Sequence, residues 1–107
     1  MKLLLGAALA VAAIGLAPPA SADNTFYPSG SEGDGSFANY WQDLNVWGIS
    51  SSLPTASALG AAICTRLHGG MDESQVVQLS AQAPGVTLSQ AKVAVWGAEW
   101  HFCPEFY

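Results

Sequence analysis

Basic residues are scarce in this chain of 107 residues. Lys2, Arg66 and Lys92 stand against eight Asp and Glu residues, and the formal net charge is −5. Nucleic acids and anionic membrane surfaces both attract clusters of Lys and Arg. The composition therefore predicts no nucleic-acid partner and no electrostatic binding to membranes. The acidity favours solubility or a basic partner instead.

The residue patterns of nucleophilic and redox enzymes are also missing. The sequence contains no G-x-S-x-G turn, and Cys64 and Cys103 do not form a C-x-x-C motif. Glu99 and Glu105 are the remaining acid–base candidates, but charged residues near a helix end are usually solvated. We therefore predict that the protein is not an enzyme, has no catalytic residue and carries no cofactor.

No apolar run is long enough to span a membrane. The longest, residues 3–16, has 14 residues, whereas a transmembrane helix needs about 20. Lys2 precedes this run, and residues 20–22 (Ala-Ser-Ala) have the small-x-small pattern of a cleavage site. Residues 1–22 are therefore predicted to be a signal peptide, with no transmembrane segment left after cleavage. No cysteine near the cleavage site can take a lipid, so we expect a protein of the cell envelope or the extracellular space.

The two cysteines would then reside in an oxidising compartment. A disulfide between Cys64 and Cys103 is the expected state of a cysteine pair in a small exported domain. Cleavage would leave 85 residues, which is one domain with a modest core. The bond is therefore expected to supply a large share of the stability.

Helical periodicity begins at Phe37, where apolar residues start to recur three and four positions apart. Residues 23–36, rich in Gly, Ser, Asp and Pro, are predicted to be a flexible N-terminal tail, and residues 37–107 the helical domain. No segment alternates with period two for long enough to indicate a strand. The predicted helices cover about 37–47, 54–68, 72–81 and 88–103. The prediction is an all-α bundle of about four helices, in which the disulfide joins helix two to the end of helix four.

Several short motifs follow one another between Tyr40 and Pro104. The first motif has Tyr40 and Leu44 ahead of Gly48-Ile49. The second is a Gly-x-x-x-Cys-x-x-Leu-x-x-Gly segment, formed by Gly60, Cys64, Leu67 and Gly70. The last two are residues 85–90 (GVTLSQ) and Phe102-Cys103-Pro104. In this order, behind a signal peptide, they resemble the domain of unknown function family 732, small secreted proteins of mycobacteria and related actinobacteria. The resemblance implies a small helical domain with a Cys64–Cys103 bond, and it implies no activity.

His68 and His101 are the only histidines in the chain. Each lies near the C-terminal end of a predicted helix, where a positive imidazolium stabilises the helix dipole. The disulfide would draw these two helix ends together, so the histidines are candidates, with Met71, Glu99 or Glu105, to hold a metal or haem iron. Two histidines without a characteristic spacing are weak indicators, and no metal site is predicted.

Aromatic residues are abundant, with four Trp, four Phe and three Tyr. Most are expected in the core, but Trp96 and Trp100 lie beside the main apolar stripe of helix four and are candidates for a contact surface. The sequence thus predicts a secreted, non-enzymatic binding or interaction module for an unknown protein partner. The alternative is a carrier of haem or another small apolar ligand, with His68 or His101 contributing.

Overall fold

A computed structural model describes residues 26–107, so the predicted signal peptide and residues 23–25 lie outside the described residues. This part of the chain contains helices and no strand, which confirms the predicted all-α fold. No helix within it combines the length and the apolar character that crossing a bilayer requires. The elements in chain order are α1 (Phe37–Val46), α2 (Leu53–His68), α3 (Glu73–Ala81), α4 (Leu88–Phe102) and a 3-10 helix (Pro104–Phe106).

The helix ends follow local sequence signals. The Ser36 hydroxyl accepts a hydrogen bond from the Asn39 amide at 3.0 Å and caps α1. At the start of α4, Thr87 and Gln90 bond reciprocally to each other's main-chain amides at 3.0 and 3.1 Å, which is a capping box. Gly48 follows α1 with a φ of +82°, a backbone conformation that glycine adopts without a steric cost.

α4 is the central helix, because it packs against each of the other three. Its buried residues therefore occupy more than one face, and they include the polar side chains of Glu99 and His101. The core around α4 is built from the apolar faces of all four helices, including Tyr40, Leu44, Ala56, Ile63, Leu67, Val76, Ala91, Val95 and Ala98.

The disulfide lies in this core. Cys64 of α2 is bonded to Cys103, directly after α4, and the two Cα atoms are 6.0 Å apart. Gly60, one turn before Cys64, allows α2 to approach the end of α4 closely. A Cβ atom at this position would lie 2.5 Å from the ring of Phe102. The bond thus joins α2 to the end of α4, as predicted.

Residues 26–36 are packed against the bundle, whereas the sequence predicted a flexible tail. The amides of Gly33 and Gly35 donate to the carbonyls of Trp100 and His101 at 2.6 and 2.7 Å, in the last turn of α4, where carbonyls have no partner within the helix. The Ser29 amide donates to the Asp43 carboxylate at 3.0 Å. These bonds are made to distant residues, so local composition could not reveal them.

Candidate functional site

An apolar groove opens between α2, α3 and α4. Its volume is about 380 Å³, and small-molecule sites typically enclose roughly 300–1,000 Å³. Buried residues such as Val76 and Ala91 line its inner part, while the Leu79 side chain at its border is 40% exposed. The lining residues are Ile49, Leu59, Ala62, Ile63, Arg66, Val76, Leu79, Ser80, Ala83, Val86, Ala91 and Ala94.

Only two of these lining residues have polar side chains. The Ser80 hydroxyl donates to the Val76 carbonyl at 2.9 Å, so its proton is already used within α3. Arg66 lies exposed in the last turn of α2. Among residues 26–107 its guanidinium forms no hydrogen bond and no ion pair. No Asp, Glu, His or Cys lines the groove, so its walls offer an apolar surface and one positive charge rather than acid–base chemistry.

His101 does not reach this groove. Its imidazole is fully buried, with Nδ1 donating to Asp34 Oδ1 at 2.8 Å and Nε2 donating to Asp43 Oδ2 at 2.7 Å. Both nitrogens can donate only when the ring is protonated. Asp43 belongs to α1 and Asp34 to the N-terminal segment, so His101 joins three parts of the chain and has no free nitrogen for a metal.

The electrostatics of this cluster favour the charged forms. Burial alone would lower the pKa of His101, but its hydrogen bonds to the Asp43 and Asp34 carboxylates outweigh this effect, so the pKa is raised above its ordinary value. Burial likewise opposes ionisation of Asp34, yet the Ser36 amide and His101 lower the pKa of this carboxyl to about 2. The cluster is therefore an imidazolium held between two carboxylates.

His68 lies in a different environment. Its side chain is 55% exposed, and Nε2 lies 2.6 Å from Glu105 Oε2. The ring of Phe106 packs edge-on against it. The two histidines thus have separate carboxylate partners, and residues 26–107 contain no group of three or more His, Cys, Asp or Glu side chains that could hold a metal ion.

The two candidate tryptophans of α4 are partly buried. Trp96 packs against Phe26, with ring centroids 6.4 Å apart, and Trp100 packs edge-on against Tyr107 at 5.1 Å. The Trp100 indole nitrogen is buried, and residues 26–107 give it no hydrogen-bond partner. Both rings thus pack against neighbouring aromatic residues, Trp96 against Phe26 and Trp100 against the C-terminal Tyr107, instead of forming a free aromatic stripe.

A second cavity, of about 360 Å³, contains the carboxyl group of Glu99, which was expected to be solvated. It is lined by Phe26, Glu73, Trp96, Glu99 and Tyr107. Glu99 is fully buried, and neither of its carboxyl oxygens forms a hydrogen bond of ordinary geometry among the described residues, although the Glu73 carboxyl is near enough to interact with it. Burial, and then the neighbouring Glu73 carboxyl, raise the pKa of Glu99 to about 9.

A sequence signal for the burial of Glu99 existed. Its neighbours three and four positions away are Val95, Trp96 and Phe102 on α4 and Cys103 directly after it, and residues at this spacing share one helix face. An acidic residue surrounded by apolar neighbours on its own face is a candidate for burial rather than for solvation.

No curated protein and no solved structure matches this chain. A family match, in contrast, spans most of the described residues. Residues 33–105 match the model of a family described as "Protein of unknown function (DUF732)". This range includes all four helices and both cysteines of the disulfide. The resemblance predicted from the sequence is confirmed, and the chain belongs to the DUF732 family.

Proposed function

We propose that the protein is an exported, non-enzymatic binding module whose groove takes a small amphipathic molecule with an apolar tail and an anionic head. The apolar groove between α2, α3 and α4, with Arg66 at its border, carries this proposal. It corresponds to the carrier alternative drawn from the sequence, with an apolar acid as the ligand instead of haem.

Burial of the apolar tail would provide most of the affinity. Each methylene removed from water contributes about 0.8 kcal/mol, and the entropy cost of association must be subtracted from the sum. The walls offer aliphatic contacts over most of their area, so a medium-length alkyl chain would gain enough to bind measurably.

Arg66 would select the head group. It is one of two basic residues that remain after the predicted cleavage, and its guanidinium forms no ion pair among the described residues. A guanidinium pairs with a carboxylate in bidentate geometry. An apolar acid would therefore place its tail in the groove and its head against Arg66.

Haem receives less support from this geometry. Neither His68 nor His101 lines the groove, and both nitrogens of His101 are bonded to carboxylates. A haem carrier would need an axial ligand at the groove.

A protein-binding surface is the second candidate, favoured by two exposed rings on α1. Phe37 is 47% exposed and Trp41 is 37% exposed, and their spacing of four residues puts them on one helix face. Exposed aromatic side chains are common anchors of protein interfaces. Trp96 and Trp100, the residues singled out from the sequence, are less accessible.

Export predicts a defined N-terminus. Protein purified from the medium or envelope fraction of its host is expected to start at Asp23, because residues 20–22 form the cleavage pattern. Intact-mass measurement checks this and also registers the loss of two hydrogens in the disulfide. Full-length protein confined to the cytoplasm would contradict the export part of the proposal.

The groove is tested by filling it from an exposed position. Ala61 and Ala62 are adjacent exposed residues of α2, and only Ala62 lines the groove. We expect Ala62→Trp to weaken decanoate binding at least tenfold by occupying the volume of the tail, while Ala61→Trp binds like the wild type. Isothermal titration calorimetry measures both affinities.

The role of Arg66 is tested with the same method and a neutral ligand. Arg66→Gln is expected to weaken decanoate binding about fivefold, since an exposed ion pair contributes about 1 kcal/mol or less, and to leave decanol binding unchanged. If the wild type binds neither ligand, or if the Ala62→Trp and Ala61→Trp variants bind alike, the groove is not a ligand site and the aromatic surface of α1 becomes the leading candidate.

A further inference from the structure

The second cavity combines two carboxyl groups with aromatic walls. Glu73 of α3 and Glu99 of α4 provide the carboxyls, and Phe26, Trp96 and Tyr107 provide the rings. No positively charged residue lines it. This composition differs from the groove, whose walls are aliphatic and whose only charged group is positive.

Glu99 is the unusual member of this cavity. Its side chain is fully buried and lines the cavity, and neither of its oxygens forms a hydrogen bond of ordinary geometry among the described residues, although the Glu73 carboxyl is near enough to interact with it. Buried polar groups nearly always have such a partner, and an unpaired one calls for a ligand or another specific explanation. A ligand that donates hydrogen bonds to Glu99 would satisfy it.

We infer that this cavity is a binding site for a primary alkylammonium ion, held by hydrogen bonds to Glu99 and Glu73 and by the aromatic face of Trp96. An ammonium group has three N–H donors, which match carboxyl oxygens from two different helices. Aromatic rings attract cations through their negative faces, and Trp does so most strongly. The aliphatic part of the ligand would pack against Phe26 and Tyr107.

A metal ion fits this cavity less well than an organic cation. Residues 26–107 hold no group of three or more His, Cys, Asp or Glu side chains suited to a metal. Calcium and magnesium prefer six or more oxygen ligands, including water, whereas three of the five lining residues are aromatic.

Binding is coupled to ionisation of Glu99. The titratable groups around it are Glu73 of α3 and Tyr107, the residue after the 3-10 helix, and Glu32 of residues 26–36 is close enough to raise the pKa of Tyr107. All are acids, so none favours the charged form of Glu99, whose pKa is raised to about 9. The carboxyl is therefore protonated at neutral pH, and an ammonium ion must displace that proton.

The test is calorimetric titration of the purified protein with butylammonium at pH 7 and pH 8. We expect saturable binding, about tenfold tighter at pH 8, because the ionised fraction of Glu99 rises tenfold per pH unit below its pKa while the amine, with a pKa of about 10.4 for a lysine-like group, stays charged. Titrations in two buffers of different ionisation enthalpy are expected to show release of about one proton per bound amine.

Two variants and a second cation complete the test. Glu99→Gln is expected to fold, since the amide has the shape of the protonated acid, and to lose pH-dependent binding. Glu105→Gln, a matched change at an exposed carboxyl, is expected to bind like the wild type. Tetramethylammonium, which has no N–H donor, is expected to bind at least tenfold more weakly.

Three results would overturn the inference. They are no saturable binding of butylammonium, equal binding by the Glu99→Gln and Glu105→Gln variants, and equal affinity for tetramethylammonium. The Ala62→Trp variant is expected to retain amine binding, so the outcome here is independent of the fate of the groove.

Discussion

Reduction of the Cys64–Cys103 bond is expected to lower the free energy of unfolding by about 4 kcal/mol. The bond closes a loop of 39 residues, and the chain-entropy relation gives about this value for a loop of that length. For a domain of this size the melting temperature should fall by about 20 °C. Since small domains are stable by only about 5–15 kcal/mol, much of the reduced protein would be unfolded under mild conditions.

Urea unfolding followed by circular dichroism, with and without reductant, measures this difference. The double variant Cys64→Ala with Cys103→Ala is the control, because reductant should not affect it and its stability should resemble that of the reduced wild type. Equal unfolding midpoints for the oxidised and reduced wild type would contradict the prediction. They would show that packing around α4 holds the fold without the bond.

Replacement of His101 by Leu is expected to destabilise the protein by about 3–5 kcal/mol. The change leaves the Asp43 carboxylate buried without its charged partner, and this is the usual cost of breaking a buried ion pair. It also removes the bond to Asp34 and so loosens the N-terminal segment from the bundle. His68→Leu is the matched control, because its ion pair with Glu105 is exposed and should contribute about 1 kcal/mol or less.

The same cluster predicts how stability depends on pH. The pKa of His101 is raised on folding, so its contribution is complete below about pH 6.5 and is lost as the pH rises through the folded value. The pKa of Asp34 falls from 3.8 to about 2, so its contribution is present above about pH 4 and is lost as the pH falls towards 2. Both contributions are therefore complete between about pH 4 and 6.5.

Glu99 adds to the loss of stability at higher pH. Its pKa rises from 4.5 in the unfolded chain to about 9 on folding, so stability declines as the pH increases from about 4.5 to 9. Unfolding measured across pH is thus expected to show a maximum in the mildly acidic range. A wild type as stable at pH 8 as at pH 5.5, or a His101→Leu variant as stable as His68→Leu, would contradict this account of the cluster.

The helices could be predicted from the sequence because their signals are local. A cap such as Ser36, the reciprocal pair Thr87 and Gln90, and a left-handed glycine such as Gly48 each act over a few residues. The apolar periodicity then specifies which face of each helix is buried. The helix contact at Gly60 is different, because its partner, Phe102, lies 42 residues further along the chain.

Local sequence signals do not predict the structure of the N-terminal segment, residues 26–36. Its Gly, Ser and Asp residues are typical of a flexible tail, but Asp34 bonds to His101, 67 residues further along the chain. A partner at that distance depends on the packing of all the intervening helices. The order of residues 26–36 therefore arises from tertiary contacts and not from the segment's own composition.

The candidate sites likewise depend on tertiary contacts that the sequence does not show. Sequence reasoning selected Trp96, Trp100, His68 and His101 because these residue types can bind ligands, but it had no means of locating their carboxylate and aromatic neighbours. The apolar groove is bordered by three helices and the loops between them, so no single stretch of sequence contains a motif that predicts it. Arg66 is a candidate ligand contact because it borders the apolar groove, and Glu99 is one because it lines the second cavity.

The sequence by itself determined the four helices, their caps and the pairing of the two cysteines, because these depend on local periodicity and on the presence of only one possible bond. Only the tertiary structure decided that α4 is central. A central helix is covered on several faces, so its polar residues can be buried as well. One of them, His101, forms ion pairs with two carboxylates, whereas Glu99 has no positively charged partner among the described residues and lines a cavity.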